Sequence, residues 1–295
     1  MISAAQESAQ KNRGTIFVED GEIIRHEAFA GEQFIQRIRA PRCAAAASAG
    51  SFAHITCDES LPMRRPLSIM RAQDDWFEIL YKTVGDGLRL LSQKKTGDRV
   101  SVLGPIGIPF QPDTERPNAL LIGGGVGIPP IVFLADALRR NDHFRPLAML
   151  GSEIPFPFDL ITSRLEIDGV SDAISSTMPL LESWGIPTRL TSLEGYSGCF
   201  DGYVTDLADK FLSAQNTASL EKTKVFACGP TPMLKAIAAL ASQYNIPCEV
   251  SLEEFMACAV GGCAGCTVLI ETPEGPAMKR VCVDGPVFDA ATVVW

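Results

Sequence analysis

From Gly14 to about Pro112, the pattern of hydrophobic and polar positions consists of short runs rich in strand-forming residues, separated by turn-forming residues. Runs of this composition favour β-strands. The predicted strands are Gly14–Val18, Ile23–Arg25, Phe34–Arg39, Phe52–Ile55, Phe77–Lys82 and Arg99–Leu103. Their spacing of roughly 10 to 20 residues is typical of an antiparallel barrel. Only Asp86–Lys94 in this part of the chain has the pattern of a helix.

The pattern changes near Asn118, where apolar runs begin to alternate with segments of helical periodicity. The predicted strands are Ala119–Ile122, Leu147–Gly151, Thr188–Leu193 and Lys224–Cys228. The predicted helices are Pro129–Arg140, Val204–Leu212 and Pro232–Tyr244. Alternation of strands and helices indicates a doubly wound α/β domain. Residues 152–187 have no clear pattern, and no structure is predicted for them.

The length of 295 residues exceeds what one hydrophobic core usually serves, so several domains are expected. We predict a disordered tail at residues 1–13, a β-barrel domain at 14–112, an α/β domain at 113–250 and a small domain at 251–295. The last of these is too short for an apolar core of its own, and we expect a metal centre to stabilise it.

The formal net charge is −9, from 35 acidic against 26 basic residues. This balance argues against charge-driven binding to nucleic acid or to an anionic membrane. The longest uncharged stretch, residues 119–135, contains four glycines and two prolines, which a membrane-spanning helix would not tolerate. The amino end has no apolar segment typical of a secretory signal, so we expect a cytoplasmic protein.

Four of the nine cysteines lie close together near the carboxyl end. They are Cys258, Cys263, Cys266 and Cys282. Three thiols spaced C-x4-C-x2-C with a fourth further on are typical of a plant-type 2Fe–2S cluster. Gly261, Gly262 and Gly265 would allow the unusual backbone angles of a tight loop around it. Two alternatives stay open, namely a zinc site, which normally uses two C-x2-C pairs, and four unrelated thiols.

A second motif, Arg65-Pro66-Leu67-Ser68, precedes Gly85-Asp86-Gly87 at the start of the predicted helix. An arginine pairs well with phosphate, and the first turn of a helix offers free amide groups to an anion. Together the two segments predict a site for the pyrophosphate of a flavin. The alternative is an ordinary strand end followed by a turn.

A third motif, Gly123-Gly124-Gly125-Val126-Gly127, directly follows a predicted strand and precedes a predicted helix. Strand, glycine turn and helix in this order are typical of a nucleotide site. Cys228-Gly229-Pro230 follows another predicted strand, and ligands of open α/β sheets bind at such strand ends. The alternatives are a tight connector and, for Cys228, an ordinary buried thiol.

These motifs occur in one order along the chain, which resembles the ferredoxin–NADP reductase superfamily with a 2Fe–2S domain at its carboxyl end. More narrowly, the segments RRPLSIM, LLIGGGVGIPP, FACGPTPMLKA, SLEEFMACAVGGCAGCTV and RVCVDGPVFDA resemble the electron-transfer subunits of NAD-linked dihydroorotate dehydrogenases. The resemblance covers residues 14–295 and is weakest at 152–200.

The resemblance implies a role for each motif residue by its position. The implied FAD-binding residues are Arg65, Pro66, Leu67, Ser68, Leu80, Tyr81, Lys82, Gly87 and Leu88. The implied nicotinamide-nucleotide site consists of Gly124, Gly125, Gly127, Cys228 as a catalytic residue, Gly229 and Pro230. The implied cluster ligands are Cys258, Cys263, Cys266 and Cys282. Leu88 departs from the family, which often has a threonine there, so a side-chain contact to phosphate is lost.

The resemblance also implies a relay of electrons from a separate FMN-containing catalytic subunit, which oxidises dihydroorotate, through the cluster and FAD to NAD. It further implies a heterotetramer of two subunits of each kind. Two other functions remain open. The same reductase module could serve a hydrogenase or a ferredoxin- or sulfide-linked oxidoreductase, or the chain could be a non-catalytic nucleotide-binding protein with a zinc site.

Overall fold

The computed structural model describes residues 14–295, and the tail expected at residues 1–13 lies outside them. Its first part is a closed antiparallel barrel with the strand order β1-β2-β5-β4-β3-β6. The strands are β1 (Phe17–Phe29), β2 (Gln33–Arg39), β3 (Phe52–Thr56), β4 (Arg65–Gln73), β5 (Trp76–Lys82) and β6 (Arg99–Ile106). Helix α1 (Pro41–Ala46) connects β2 to β3, and α2 (Gly85–Gln93) connects β5 to β6.

The predicted antiparallel barrel is confirmed, with two differences in its strands. The two strands predicted on either side of Gly21 form the single strand β1. Asp20-Gly21 has the composition of a turn, but a Cβ at Gly21 would lie 2.7 Å from Ile38, so this glycine serves close strand packing instead. The second difference is β4, for which no strand is predicted because it contains Pro66 near its start.

The second part is a seven-stranded sheet with the order β12-β11-β8-β7-β13-β14-β17. Its strands are β7 (Asn118–Gly124), β8 (Arg145–Gly151), β11 (Thr188–Ser192), β12 (Phe200–Asp201), β13 (Thr223–Cys228), β14 (Cys248–Ser251) and β17 (Val287–Asp289). The helices are α3 (Ile128–Leu138), α4 (Pro179–Ser183), α5 (Val204–Ser213), α6 (Thr217–Glu221) and α7 (Thr231–Gln243). The remaining strands form two small antiparallel pairs, β9 (Ile161–Thr162) with β10 (Ser176–Thr177) and β15 (Thr267–Thr272) with β16 (Gly275–Arg280).

The doubly wound domain is confirmed, and all its sheet pairs are parallel except the last. Strand β17 comes from the C-terminal segment and runs antiparallel to β14, with Val250 opposite Phe288. The same segment reaches the barrel side of the molecule, since the Ile108 amide donates to the Gly285 carbonyl at 2.6 Å. The C-terminal residues are therefore tied to both larger parts of the chain.

Two apolar clusters form the core. The first joins the barrel interior to one face of the sheet, because α3 packs against β4 as well as β7. The second covers the opposite sheet face and includes α5, α7 and residues next to the four-cysteine motif. Between residues 14 and 295, no helix combines the length and the apolar character needed to cross a bilayer.

Candidate functional site

Arg65 and the first turn of α2 lie side by side. A Cβ added to Gly87 would lie 3.0 Å from Nε and 3.1 Å from Cζ and Nη2 of the Arg65 guanidinium group. Nη1 of Arg65 donates to the Met63 carbonyl at 2.8 Å, which fixes the orientation of the group. Val84 precedes the helix and, as a valine, offers no side-chain oxygen to its free amides. A guanidinium group beside free helix amides is an arrangement that suits a pyrophosphate.

The strands β4 and β5 place the remaining predicted flavin residues beside this arginine. Leu67 and Leu80 are buried, whereas Ser68 and Lys82 are partly exposed. The end of β5 also contacts the turn at Gly125–Gly127, so the barrel and the glycine-rich loop meet at this point.

Tyr81 differs from its neighbours on β5, because its ring packs inside the barrel. It stacks on Phe34 with ring centres 5.5 Å apart, and its hydroxyl lies 3.2 Å from Nε2 of His26. Burial raises the pKa of Tyr81, so the phenol stays neutral at ordinary pH. Only the backbone of this residue is placed to meet a ligand on the outer side of the barrel.

The glycine-rich loop joins β7 to α3 and contacts the Cys228-Gly229-Pro230 loop after β13. A Cβ on Gly127 would lie 2.4 Å from the Cys228 carbonyl group, and one on Gly124 would lie 2.5 Å from Sδ of Met233. Because Pro129 and Pro130 lack N–H groups, the amides available to an anion come from the turn rather than from the first turn of α3. The structure thus brings both predicted nucleotide loops together at the carboxyl ends of β7 and β13.

Cys228 is fully buried at the end of β13. Burial raises the pKa of its thiol well above the ordinary value, and the neighbouring carboxylate of Glu253 acts in the same direction. The side chain is therefore a neutral thiol, not a thiolate nucleophile. Glu253 follows β14, and desolvation raises the pKa of its own carboxyl group. Sequence reasoning gave Glu253 no role, although its position just after a strand end is the signal that could have identified it.

The loop at residues 252–266 holds three of the clustered cysteines without regular helix or strand structure. Of the three glycines predicted to adopt unusual backbone angles, only Gly261 has a positive φ, at 80°. Ala259 and Ala264 adopt positive φ values of 55° and 51° instead. A left-handed alanine is unfavourable, so surrounding contacts must hold this loop in place.

The four cysteines form two pairs. The amide of Cys263 donates to Sγ of Cys258 at 3.4 Å, and the amide of Gly265 donates to Sγ of Cys263 at 3.4 Å. In the second pair, the buried thiols of Cys266 and Cys282 contact each other. Within residues 14–295, no three His, Cys, Asp or Glu side chains converge tightly enough to hold one metal ion.

The two pairs differ in their electrostatics. Burial acts to raise the pKa of Cys258, but backbone amides of Val260, Cys263 and Gly262 outweigh it and lower the value to about 7. Burial together with contact with Cys266 raises the pKa of Cys282 to about 12. Two pairs of thiols with amide donors aimed at sulfur fit a cluster of two irons, in which each iron takes two thiolates.

Comparison with known proteins identifies the family. A family model described as the iron–sulfur cluster binding domain of dihydroorotate dehydrogenase B matches residues 253–294. The dihydroorotate dehydrogenase B (NAD(+)) electron-transfer subunit of Caldanaerobacter subterraneus is 32% identical over 83% of this chain and 87% of its own. The subunit of the same name from Geobacillus kaustophilus is 33% identical over 91% of this chain and 92% of its own.

Solved structures agree with this result. An NADH-dependent reduced ferredoxin-NADP oxidoreductase superimposes with a TM-score of 0.75 at 28% identity, covering 93% of this chain and 90% of that chain. The ferredoxin reductase of carbazole 1,9a-dioxygenase, at 22% identity, covers 79% of this chain and 67% of its own with a TM-score of 0.59, which supports the fold alone. Fold and site therefore define a reductase of the ferredoxin–NADP reductase class with an iron–sulfur segment at its carboxyl end. Within that class, the chain belongs to the family of electron-transfer subunits of NAD-linked dihydroorotate dehydrogenase B.

Proposed function

We propose that the chain passes electrons between a dihydroorotate-oxidising, FMN-containing subunit and NAD by way of a 2Fe–2S cluster and FAD. The observation that carries this proposal is the convergence of three sites, namely the Arg65–α2 site, the glycine-rich loop and the paired cysteines, on one structural unit. When bound, FAD would convert between the single electrons that the cluster carries and the hydride, worth two electrons, that nicotinamide exchanges.

The flavin site is assigned to β4, β5 and α2. Arg65 and the free amides of the first turn of α2, which include that of Gly87, hold the pyrophosphate, with Leu88 next to them. The absence of a Cβ at Gly87 leaves room for the guanidinium group. Pro66, Leu67 and Ser68 on β4, together with Leu80, Tyr81 and Lys82 on β5, form the wall of the site. Tyr81 contributes its backbone to this wall and its ring to the barrel interior.

The nicotinamide-nucleotide site is assigned to the two loops that meet at the sheet edge. Gly124, Gly125 and Gly127 present backbone amides, and Gly229 with Pro230 lies against them. Cys228 places a neutral thiol at the bottom of this site, where it excludes water and bears no charge. Its role is to shape the site beside the nicotinamide ring, not to attack it.

The cluster ligands are assigned as Cys258 with Cys263 and Cys266 with Cys282. Their pairing supports a two-iron cluster over a zinc site, in which four sulfur ligands surround a single ion. The predicted domain boundaries, between residues 112 and 113 and between residues 250 and 251, give each proposed cofactor site a domain of its own. Strand β17 follows the second boundary in sequence, but it pairs with β14 of the α/β sheet.

The partner is proposed to be the FMN-containing catalytic subunit, in a heterotetramer of two subunits of each kind in the cytoplasm. The relatives are named as electron-transfer subunits, which implies a separate catalytic subunit in those proteins. The net charge of −9 disfavours nucleic acid and anionic membrane as partners.

Reconstitution tests this function directly. The purified chain, loaded with FAD and iron, should oxidise NADH with an artificial dye and should leave dihydroorotate unchanged. Adding the FMN-containing subunit should create dihydroorotate-dependent reduction of NAD. Turnover of dihydroorotate by the chain alone, or a colourless protein that contains zinc instead of iron and flavin, would contradict the proposal.

A second candidate partner is a ferredoxin-linked oxidoreductase. It is favoured by the 28% identity to an NADH-dependent reduced ferredoxin-NADP oxidoreductase over most of both chains. Two measurements distinguish the candidate partners: the identity of the protein that co-purifies with the untagged chain, and the substrate that this partner protein oxidises. Coupling of NADH to ferredoxin but not to dihydroorotate would select this second function.

A further inference from the structure

His54 on β3 is a buried imidazole that the proposed function does not use. Its side chain is 0% exposed, and neither Nδ1 nor Nε2 has a hydrogen-bond partner among residues 14–295. Burying a polar group without a partner costs stability, so an unpaired imidazole in the wall of a barrel requires a reason.

The ring lies between the flavin-binding strand and the cysteine loop. His54 stands opposite Pro66 in the β3–β4 pair, one residue from Arg65. The ring is next to the backbone carbonyl groups of Arg64 and Met256, which both favour a proton on it. Phe52 lies on the same face of β3 and belongs to the apolar cluster that contains Met256, Cys266 and Cys282. This face of β3 is therefore the contact between the barrel and the cluster segment, defined as residues 252–266.

Arg64 fixes the position of the strand that carries the ring. Its Nη1 donates to the His54 carbonyl at 3.2 Å and to the Ser101 carbonyl at 2.8 Å. The charged groups that face the imidazole are Arg64 and, more weakly, Arg65. Burial first, and then the Arg64 charge, lowers the pKa of His54 to about 4, so the ring is neutral near pH 7.

A neutral imidazole has one N–H group, whereas two backbone carbonyls lie next to this ring. The single N–H can be donated to one of these two carbonyl groups at a time. Met256 lies two residues before Cys258, the first of the four clustered cysteines. Arg64 lies one residue before Arg65, the arginine of the proposed flavin site. A hydrogen bond from His54 to the Met256 carbonyl connects the cluster segment to β3, which pairs with the flavin-binding strand β4.

We propose that His54 is a positioning residue that holds the cluster segment against the flavin-binding strand and thereby sets the rate of electron transfer between the two cofactors. The inference rests on the proposed function, because it assumes that both cofactors bind where that function places them. In this proposal, His54 does not contact NAD, the artificial dye or the partner subunit.

Replacement of the ring in the full, cofactor-loaded chain tests the proposal. His54→Leu should retain FAD and iron and should retain NADH-to-dye activity within about twofold. Its cluster should be reduced by NADH about fivefold or more slowly, because the loss of one ordinary hydrogen bond favours the displaced cluster segment by about that factor. Hydrogen–deuterium exchange at residues 252–258 should rise by a similar factor. Ile55→Val, on the same strand but facing the barrel interior, is the matched control and should change neither quantity.

Two conservative variants identify the nitrogen that acts. Asparagine places its amide nitrogen near the position of Nδ1, and glutamine places its amide nitrogen near that of Nε2, so one of His54→Asn and His54→Gln should restore cluster reduction. If His54→Leu shows the wild-type rate of cluster reduction and wild-type hydrogen–deuterium exchange at residues 252–258, the proposal is overturned. If His54→Leu does not fold, equal rates in the Asn and Gln variants would overturn it, and a clear difference between them would support it. A wild-type chain without iron or FAD would contradict the proposed function instead.

Discussion

The barrel and the cluster segment are stabilised in opposite ways. Every barrel strand is hydrogen-bonded to two neighbours, and interior side chains such as Ile38, Ile69 and Ile79 are completely buried. The cluster segment has no regular structure, holds Ala259 and Ala264 in left-handed conformations and leaves Phe255 95% exposed. Burial of the barrel's own side chains is therefore enough to stabilise the barrel. The cluster segment depends on ligands, because metal binding contributes free energy of folding where apolar burial cannot.

This difference predicts that a change in either region leaves the cofactor of the other region in place. In the proposed assignment, the flavin site belongs to the barrel and does not need the metal, whereas the cysteine loop needs both the metal and the wall of the barrel.

Cys266→Ser should abolish dihydroorotate-dependent reduction of NAD while leaving most of the NADH-to-dye activity. Cys266 is 2% exposed and paired with Cys282, so the substitution removes a buried thiol that we propose as a cluster ligand. Iron content should fall to a small fraction of wild type, and the FAD content should be unchanged; Cys263→Ser should give the same pattern. Cys57→Ala, a buried thiol of the barrel, is the control and should retain iron. If either serine variant keeps the iron content of the wild type, the proposed assignment of that cysteine as a cluster ligand is wrong.

Gly127→Ala should raise the KM for NADH by about 10-fold or more, because the new methyl group would lie 2.4 Å from the Cys228 carbonyl group. Either the glycine-rich loop or the β13 loop must then move, and both belong to the proposed nucleotide site. FAD and iron contents should stay at wild-type levels. Gly125→Ala is the comparison, since no atom lies within 4 Å of its Cβ position and only the φ of 54° is strained. We expect a clearly smaller change there, and equal effects of the two variants would argue against steric control by Gly127.

Arg65→Ala should weaken FAD binding by about 10-fold, since a hydrogen bond to a charged group contributes about 1.5–3 kcal/mol. The cluster should stay, because Arg65 contacts α2 and the backbone of Met63 and Arg64 rather than the cysteines. Titration of the apoprotein with FAD, followed by flavin fluorescence, measures the change. Arg89→Ala on the exposed side of α2 is the control and should shift the affinity by less than about twofold. Retained FAD affinity in Arg65→Ala would place the pyrophosphate elsewhere.

The sequence predicted those features that depend on local pattern. Short strand-forming runs between turn residues predicted most of the barrel, and the spacing of Cys258, Cys263 and Cys266 predicted the loop that the structure forms from them. Arg65 and the helix start at Gly85-Asp86-Gly87 were predicted to hold one pyrophosphate between them, because each has a chemistry suited to phosphate. The structure places them in contact.

The features that sequence reasoning missed depend on contacts between distant segments. Strand β17 forms only because residues 287–289 meet the edge of β14, a pairing that no local pattern of three residues specifies. The positive φ values of Ala259 and Ala264 are imposed by surrounding structure against the preference of alanine. Likewise, the position of His54 between Arg64 and Met256 joins segments that are far apart in sequence.

The smallest predicted effect concerns Leu88, where the family often has a threonine. Leu88 lies in the second turn of α2, one residue after Gly87, and its partly buried side chain packs against the barrel core. Leu88→Thr should strengthen FAD binding by about twofold to fivefold through a hydroxyl contact with phosphate. It should also lower the thermal stability of the apoprotein, because apolar contacts are lost. Leu88→Ala removes the same contacts without adding a hydroxyl, so the difference in FAD affinity between the two variants isolates the hydroxyl. If Leu88→Thr binds FAD no more tightly than Leu88→Ala, the second turn of α2 does not face the phosphate, and the pyrophosphate is held by Arg65 and the amide of Gly87 alone.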